Sequence, residues 1–455
     1  MLGTNNLKKI HFIGVGGAGM SGIAEILINM NYEVSGSDIY PSLITERLEG
    51  LGLNFFNSHN KENLENVDLV VFSSAINKNN PELVEAKNRD INLIKRAEML
   101  AHLTDLKESI IFAGSHGKTT TTCIAAHIFK ENNFDPTYII GGKVSSFESN
   151  ANLGNGRHIL AEADESDGSF LLFSPDKAVV TSIDNDHLEA YDHSVKKLEL
   201  AFISFIQKVK EKVFIHDEQK SLIDNLNTKA DIVTYGFDTN SDFQILNFSQ
   251  NEKGSLFSLK NKIANTLHDF ETNAYGKHNI LNTVAAILVS LDEGIDYSSI
   301  NKSLKTFPQV ERRFEIISKN VFSQNIILVD DYGHHPTELI NTINTIKEIW
   351  PKKEIVMAFQ PHRYSRTKAL FNEFVDVLSK IDNLILLEIY PASETPIENY
   401  SSQDLFEKIK NFNKKAVLVH GIDEAFIEIQ KFKNEKYIFL TQGAGNTSLL
   451  ASKFK

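Results

Sequence analysis

The chain has 455 residues, 42% of them hydrophobic, and a net charge of −12 from 47 basic and 59 acidic side chains. That length allows roughly three domains, and the acidic balance argues against sequence-independent nucleic-acid binding, which needs clustered Lys and Arg. A single cysteine, Cys123, excludes an internal disulfide and a cysteine-based zinc cluster. The start carries no apolar signal core and no apolar run reaches the ~18 residues of a membrane span, so the expectation is a soluble, cytoplasmic protein without membrane insertion.

Taken in chain order, short runs rich in Ile, Val, Leu and Phe fall at 10–15, 68–73, 109–113, 158–161, 177–183, 326–330, 354–359, 383–389, 415–419 and 436–440. Helix periodicity appears between them at 20–30, 120–131, 195–209, 337–349 and 366–380. This alternation predicts an α/β fold with largely parallel sheets. Residues 231–272 break the rhythm and read as consecutive strands with polar turns, an antiparallel patch. Boundaries near 106 and 313 give three domains: a Rossmann-like 1–106, a P-loop ATPase-like 107–312 carrying the patch, and a Rossmann-like 313–455.

The first strand runs into a literal G-x-G-x-x-G at Gly14, Gly16 and Gly19, and Asp38 follows Gly16 by 22 residues at the end of the next strand. Such glycines let a backbone approach a diphosphate at a helix N-terminus. On this motif alone the usual occupant is NAD(P).

A second phosphate site is written at 110–122, IIFAGSHGKTTTT. Gly114 and Gly117 supply permissive turns, Lys118 suits terminal phosphates, and the Thr119 hydroxyl suits Mg²⁺, although the first glycine is displaced by two residues from the standard P-loop. Two later strands end in acids: EADESD brings Glu162, Asp164, Glu165 and Asp167, and DNDH brings Asp184, Asp186 and His187. Parallel strands deliver such ends to one crevice, where carboxylate, hydroxyl and phosphate oxygens make an Mg²⁺ environment and a histidine suits a second ion or Mn²⁺.

GSHGKTTTT resembles the phosphate loop of the Mur ligases, usually G-T-H-G-K-T-T-T, with Ser115 where Thr is commoner. The resemblance extends along the chain through GVGGAGMSGIAE, GSDIYP, SSAI at 73–76, RAEML at 96–100, EADESD, DNDH, GKHNILN at 276–282, ERRFE at 311–315, DDYGHHPTE at 330–338, FQPHRYSRT at 359–367 and TQGAGN at 441–446. Within the family, GVGGAGMSGIAE, GKHN and DDYGHHPTE look like the members that join L-alanine to UDP-N-acetylmuramate. Members that attach a whole tripeptide to the same nucleotide sugar are the alternative.

The resemblance implies ATP-dependent amide formation in peptidoglycan precursor synthesis, through an acyl phosphate. The first domain then binds UDP rather than NAD(P), with Gly16, Gly17, Gly19 and Ser21 facing the diphosphate, and Asp38, His59, Ser73, Ser74 and Arg96 as further substrate contacts. Gly114, Ser115, His116, Gly117, Lys118, Thr119 and Thr120 hold ATP phosphates, joined by His278 and Asn279 at the adenine and by Arg313 and Asp331. Thr119, Glu162 and His187 are the implied metal ligands. Lys118, His187, His334, Arg363 and Arg366 carry the chemistry, with Glu165, Ser166 and Tyr332 as substrate contacts. The third domain brings the amino acid and closes on ATP. The oligomeric state stays open between monomer and weak dimer.

Overall fold

The computed structural model describes residues 7–141, 147, 149–184, 188–224 and 226–454. They build three sheets in two compact units. One unit comprises Met1–Phe248, Phe257–Thr272 and Leu281–Pro308, and the other Ser249–Leu256, Asn273–Ile280 and Gln309–Lys455.

The first sheet has five parallel strands in the order Asn54–Phe56, Glu33–Ser37, Lys9–Ile13, Leu69–Phe72, Asn92–Lys95. Chain order reverses beside Lys9–Ile13, and such a switch point opens a crevice at the C-terminal strand ends. The second sheet has ten strands. From one edge they run Thr266–Thr272, Gly254–Asn261, Phe243–Asn251, Asp231–Gly236, Lys212–His216, Lys177–Val180, Glu108–Ala113, His158–Glu162, Thr137–Ile139 and Ala151–Asn152.

The expected antiparallel patch starts later than the sequence suggested. Asp231–Gly236 pairs parallel with Lys212–His216 and with Phe243–Gln244, because a connection containing the short helix Lys220–Ile223 carries the chain back to the same end of the sheet. Only from Phe243–Asn251 does the chain reverse, through the two residues before Gly254–Asn261. A two-residue link joins antiparallel strands only.

One apolar core runs through both sheets of this unit. It takes Ile10, Phe12, Ile23 and Leu27 from the first α/β layer and Ile111, Ile159, Phe202 and Ile215 from the second. Helix Ala18–Asn29 packs on the edge strand Ala151–Asn152 at Gly22, where an added Cβ would lie 3.1 Å from that of Ala151. The amide of Asn150 also donates to the Ala18 carbonyl at 2.8 Å.

The other unit holds a six-stranded sheet ordered Glu315–Ser318, Ile327–Asp331, Tyr437–Gln442, Glu354–Phe359, Asn383–Leu387, Val417–Val419, parallel except at its first pair. Its strands are apolar at successive positions because both faces are covered. Val329, Met357, Leu386 and Leu440 feed one core, and Leu328, Val356, Ile385 and Phe439 the other. The expected helix 366–380 is two helices, Tyr364–Ala369 and Phe371–Leu378, because Leu370 leaves the helical region at φ −114°. Among the described residues, no helix is long and apolar enough to cross a membrane.

Candidate active site

The N-terminal glycine turn is held from below. Gly14 adopts φ +82°, and the amides of Gly14 and Val15 donate to the Ser37 carbonyl at 2.8 and 3.1 Å. Gly16 N–H donates to Asp38 Oδ2 at 2.9 Å, so Asp38 braces the loop. Gly17 precedes helix Ala18–Asn29, and the N–H groups at such a helix start favour an anion. Gly19 lies under Arg96: an added Cβ would sit 3.0 Å from its guanidinium. Ser73 lies beside Gly14, with Ser74 exposed next to it. Ser21 is buried and turns back to donate to Ala18 O at 3.0 Å. His59 is joined to Ser37 by a 2.9 Å hydrogen bond.

The second phosphate loop connects strand Glu108–Ala113 to helix Lys118–Glu131. Two of its glycines are obligatory. Gly114 has φ +136° with no room beside Thr181 and Ser182, and Gly117 has φ +87° with an added Cβ only 2.3 Å from Asn282 Oδ1. Ser182 stabilises the turn, its carbonyl accepting from Ser115 N and its hydroxyl from His116 N, both at 2.9 Å. Lys118 Nζ donates to Glu165 Oε2 at 2.6 Å and to the Gly114 carbonyl. Thr119 Oγ1 donates to Glu162 Oε2 at 2.9 Å, while Glu162 Oε1 accepts from Gly141 N at 2.7 Å. Thr120 is buried beneath the loop. His116 Nε2 approaches Asp184 Oδ2 at 3.4 Å.

The charges here form one system. Burial works against the Lys118 ammonium, but Glu165, Asp164 and Glu162 outweigh it and raise its pKa above the ordinary lysine value. Burial likewise pushes Asp164 up, yet Lys118, bonds from Ser166 and the charge of Arg96 hold it below the usual carboxylate range. Arg96 therefore links the two clusters of this unit: it lies against the helix turn at Gly19 and acts electrostatically on Asp164. His187 lies outside the described residues.

The remaining expected residues belong to the other unit. His278 and Asn279 open helix Lys277–Asp292, with Gly276 before them at φ +84°. Asn279 stands inside the helix rather than at its cap, and its side-chain amide donates to Tyr275 O at 2.9 Å. Asp331 is buried: Oδ2 accepts from Phe314 N, and Oδ1 from Gly333 N and the Gln442 amide, at 2.8–2.9 Å. The Tyr332 ring lies between Arg312 and Arg313, whose Cζ atoms are 5.1 and 5.0 Å from its centroid. His334 sits 5.5 Å from Tyr332 and 5.7 Å from His362, ring to ring. Arg366 is buried against the carbonyl of His362 at 3.4 Å, and exposed Arg363 has φ +70°. The ends of parallel strands Ile327–Asp331, Glu354–Phe359 and Tyr437–Gln442 thus gather Tyr332, His334, Arg366 and Gln442.

The chain matches three family descriptions in succession: Mur ligase family, catalytic domain, at residues 9–108; Mur ligase middle domain at 112–290; and Mur ligase, glutamate ligase domain, at 312–445. A UDP-N-acetylmuramate–L-alanine ligase of Wigglesworthia glossinidia brevipalpis is 43% identical over 98% of this chain and 96% of its own length. The chain belongs to the Mur ligase family. A second Mur ligase bearing the same name, from Buchnera aphidicola subsp. Acyrthosiphon pisum, is 42% identical over 98% and 94% of the two chains. Among solved Mur ligase structures, UDP-N-acetylmuramate-alanine ligase of Thermotoga maritima superposes with a TM-score of 0.83 at 29% identity, covering 98% of each chain. A murein peptide ligase of Psychrobacter arcticus shares the fold at TM-score 0.69 and 19% identity, again over 98% of each chain.

Sequence reasoning did not single out Asn282, Thr181, Ser182, Arg312 or Gln442, all of which shape these sites. Arg312 was legible only as the partner of Arg313. Asn282, Thr181 and Ser182 carry no signal of their own, because their role comes from lying against two glycines distant in sequence.

Proposed function

We propose that this Mur ligase joins L-alanine to the lactyl carboxylate of UDP-N-acetylmuramate, with ATP converted to ADP and phosphate, in the cytoplasm. The observation that carries the reading is the near full-length 43% identity to a ligase of that name. The tripeptide-attaching alternative is not favoured: a murein peptide ligase shares the fold at only 19% identity.

A muramate carboxylate oxygen attacks the γ-phosphorus of ATP, ADP leaves, and an acyl phosphate results. The alanine amine then attacks the acyl carbon and phosphate departs. Lys118 keeps its proton and supplies the cation against which negative charge on the transferred phosphoryl group develops. Loop amides between Gly114 and Thr120 bind the ATP phosphates, and the cradle at Gly16, Gly17 and Gly19, with Arg96, binds those of UDP. Thr119 and Glu162 offer a hydroxyl and a carboxylate oxygen 2.9 Å apart, hard donors that fit Mg²⁺. An ion held there supplies charge neutralisation at the phosphates. His187 is the proposed further ligand. In the other unit, His278, Asn279 and Arg313 are assigned to ATP. His334, Arg363 and Arg366 are assigned to alanine and the acyl phosphate, because they follow the C-terminal ends of parallel strands.

The test is phosphate release from ATP and Mg²⁺. Release is expected only with UDP-N-acetylmuramate and L-alanine together, and is abolished in Lys118→Ala. Release with the stem tripeptide and not with alanine would replace the amino substrate, and release with neither would overturn the reading.

A further inference from the structure

The turn that carries Glu165 is tied down from both ends. The Glu165 carbonyl accepts from Gly168 N at 3.0 Å, closing the turn Glu165–Gly168, in which Gly168 takes φ +74°. Asp164 braces it: the side chain accepts from Ser166 N at 2.9 Å and the carbonyl from Phe170 N at 3.0 Å. Phe170 is fully buried, its ring 4.9 Å from that of Phe202 on helix Val195–Ile206, and it anchors the far end of the turn in the core. The near end, at Glu165, is held by Tyr191, whose hydroxyl donates to the Glu165 carbonyl.

Tyr191 comes from a different segment, the single turn Leu188–Tyr191 that precedes helix Val195–Ile206. Its own backbone is fixed there, the carbonyl accepting from Ser194 N at 3.0 Å. The residue is 7% exposed and belongs to the apolar core of its unit. Such a ring, buried with its polar tip bonded, holds that tip in place. Burial, and then the charges of Glu165, Asp167 and Asp164, push the phenol pKa above its ordinary value, so the hydroxyl keeps its proton and stays a donor. The carbonyl it grips belongs to the residue whose carboxylate takes Lys118 Nζ at 2.6 Å.

We propose that Tyr191 is a positioning residue for the phosphate-loop cation: by fixing the Glu165 carbonyl it fixes the carboxylate that aims Lys118 at the transferred phosphoryl group. This deepens the ATP-dependent ligase reading above and rests on it. Tyr191 acts through Glu165 rather than on Lys118 itself. Tyr191→Phe removes one oxygen and leaves the Glu165 carbonyl paired with Gly168 N, so no buried group is orphaned. The turn then loses its tie to the core at the end that carries the carboxylate. Glu165, Asp164 and Glu162 all remain to hold the charge of Lys118, so the change is one of aim rather than of protonation.

The test is a double-mutant cycle in the full chain, read by steady-state phosphate release with ATP, Mg²⁺, UDP-N-acetylmuramate and L-alanine. Tyr191→Phe should lower kcat roughly tenfold, the order of one lost hydrogen bond, and leave KM for the nucleotide sugar and for alanine within about twofold. Glu165→Gln should lower kcat at least as much. Adding Tyr191→Phe to it should cost no more than about a further twofold, because the carboxylate that Tyr191 positions is already gone. A merely structural tyrosine predicts a lower melting temperature with kcat per folded molecule unchanged, or losses that multiply in the double variant, and either result would overturn the proposal. Should the double variant not fold, kcat per folded molecule of Tyr191→Phe decides alone. A wild type that releases no phosphate with both substrates present would instead strike the underlying reading.

Discussion

Lys118 Nζ lies 2.6 Å from Glu165 Oε2, and the glutamate side chain is only 2% exposed. A nearly buried acid thus holds the phosphate-loop cation. Removing one member of such a pair leaves the other uncompensated, typically at about 3–5 kcal/mol. ATP phosphates offer Lys118 replacement anions. Glu165→Gln should therefore lower the denaturation midpoint of the free protein and be stabilised more by ATP than wild type is. Thermal melts with and without nucleotide check this; an equal ATP increment in both proteins would refute it.

Adjacent Arg312 and Arg313 flank one tyrosine but serve different ends. Arg312 Nε donates to buried Asp330 at 3.1 Å and Nη2 to Thr447 at 2.9 Å and to Gly443 O. Burial raises the Asp330 pKa despite the opposing charge of Arg312. Arg312→Ala should cost about 3–5 kcal/mol of stability by leaving Asp330 unpaired. Arg313→Ala should leave the urea midpoint nearly unchanged and raise KM for ATP. Chemical denaturation of both variants, beside their kinetics, separates the roles.

The repeating strand–helix pattern was readable because buried parallel strands are near-continuous apolar runs, as in Ile110–Ala113 and Ile355–Phe359. Short edge strands were not: Asn54–Phe56 and Ala151–Asn152 are too brief and polar to show a period. The phosphate loop was legible because glycine, lysine and threonine at fixed spacing report local backbone chemistry. The hydrogen-bonded network around Glu82 was not, because its five members, His11, Ser37, His59, Asn63 and Glu82, come from four segments far apart in sequence. Asp331 is a related case: its motif marked the residue, but the neighbours that occupy its oxygens, Phe314 and Gln442, lie far off in sequence.

The two loop glycines should differ in tolerance. At Gly117 the obstructing atom is the tip of a side chain, Asn282 Oδ1, whereas at Gly114 it is Thr181 Oγ1 together with the Ser182 backbone at 2.8–2.9 Å. Gly117→Ala combined with Asn282→Ala should recover part of the stability lost in Gly117→Ala alone, the remainder reflecting the positive φ. Gly114→Ala should not be recovered by Thr181→Ala, because the Ser182 backbone remains. Melting curves of the four variants decide it.

Acid should unfold the first unit through Glu293. Its side chain, 3% exposed, meets His158 Nε2 and Arg157 Nη2 at 2.8 Å each and also Lys177. Glu108 and Asp292 complete the surrounding charges. Burial pushes the Glu293 pKa up, but the hydrogen bonds and charges of His158 and Lys177 prevail and hold it at about 2, against an ordinary 4.5. A carboxylate depressed in the folded state binds fewer protons there than in the unfolded chain. Its stabilisation is therefore complete above pH 4.5 and fades as pH falls towards 2. The part at stake is about 3 kcal/mol. Glu293→Gln should be less stable than wild type at neutral pH and lose less on acidification between those two values. Urea unfolding across that range measures both slopes, and parallel curves would mean that Glu293 does not carry the acid sensitivity.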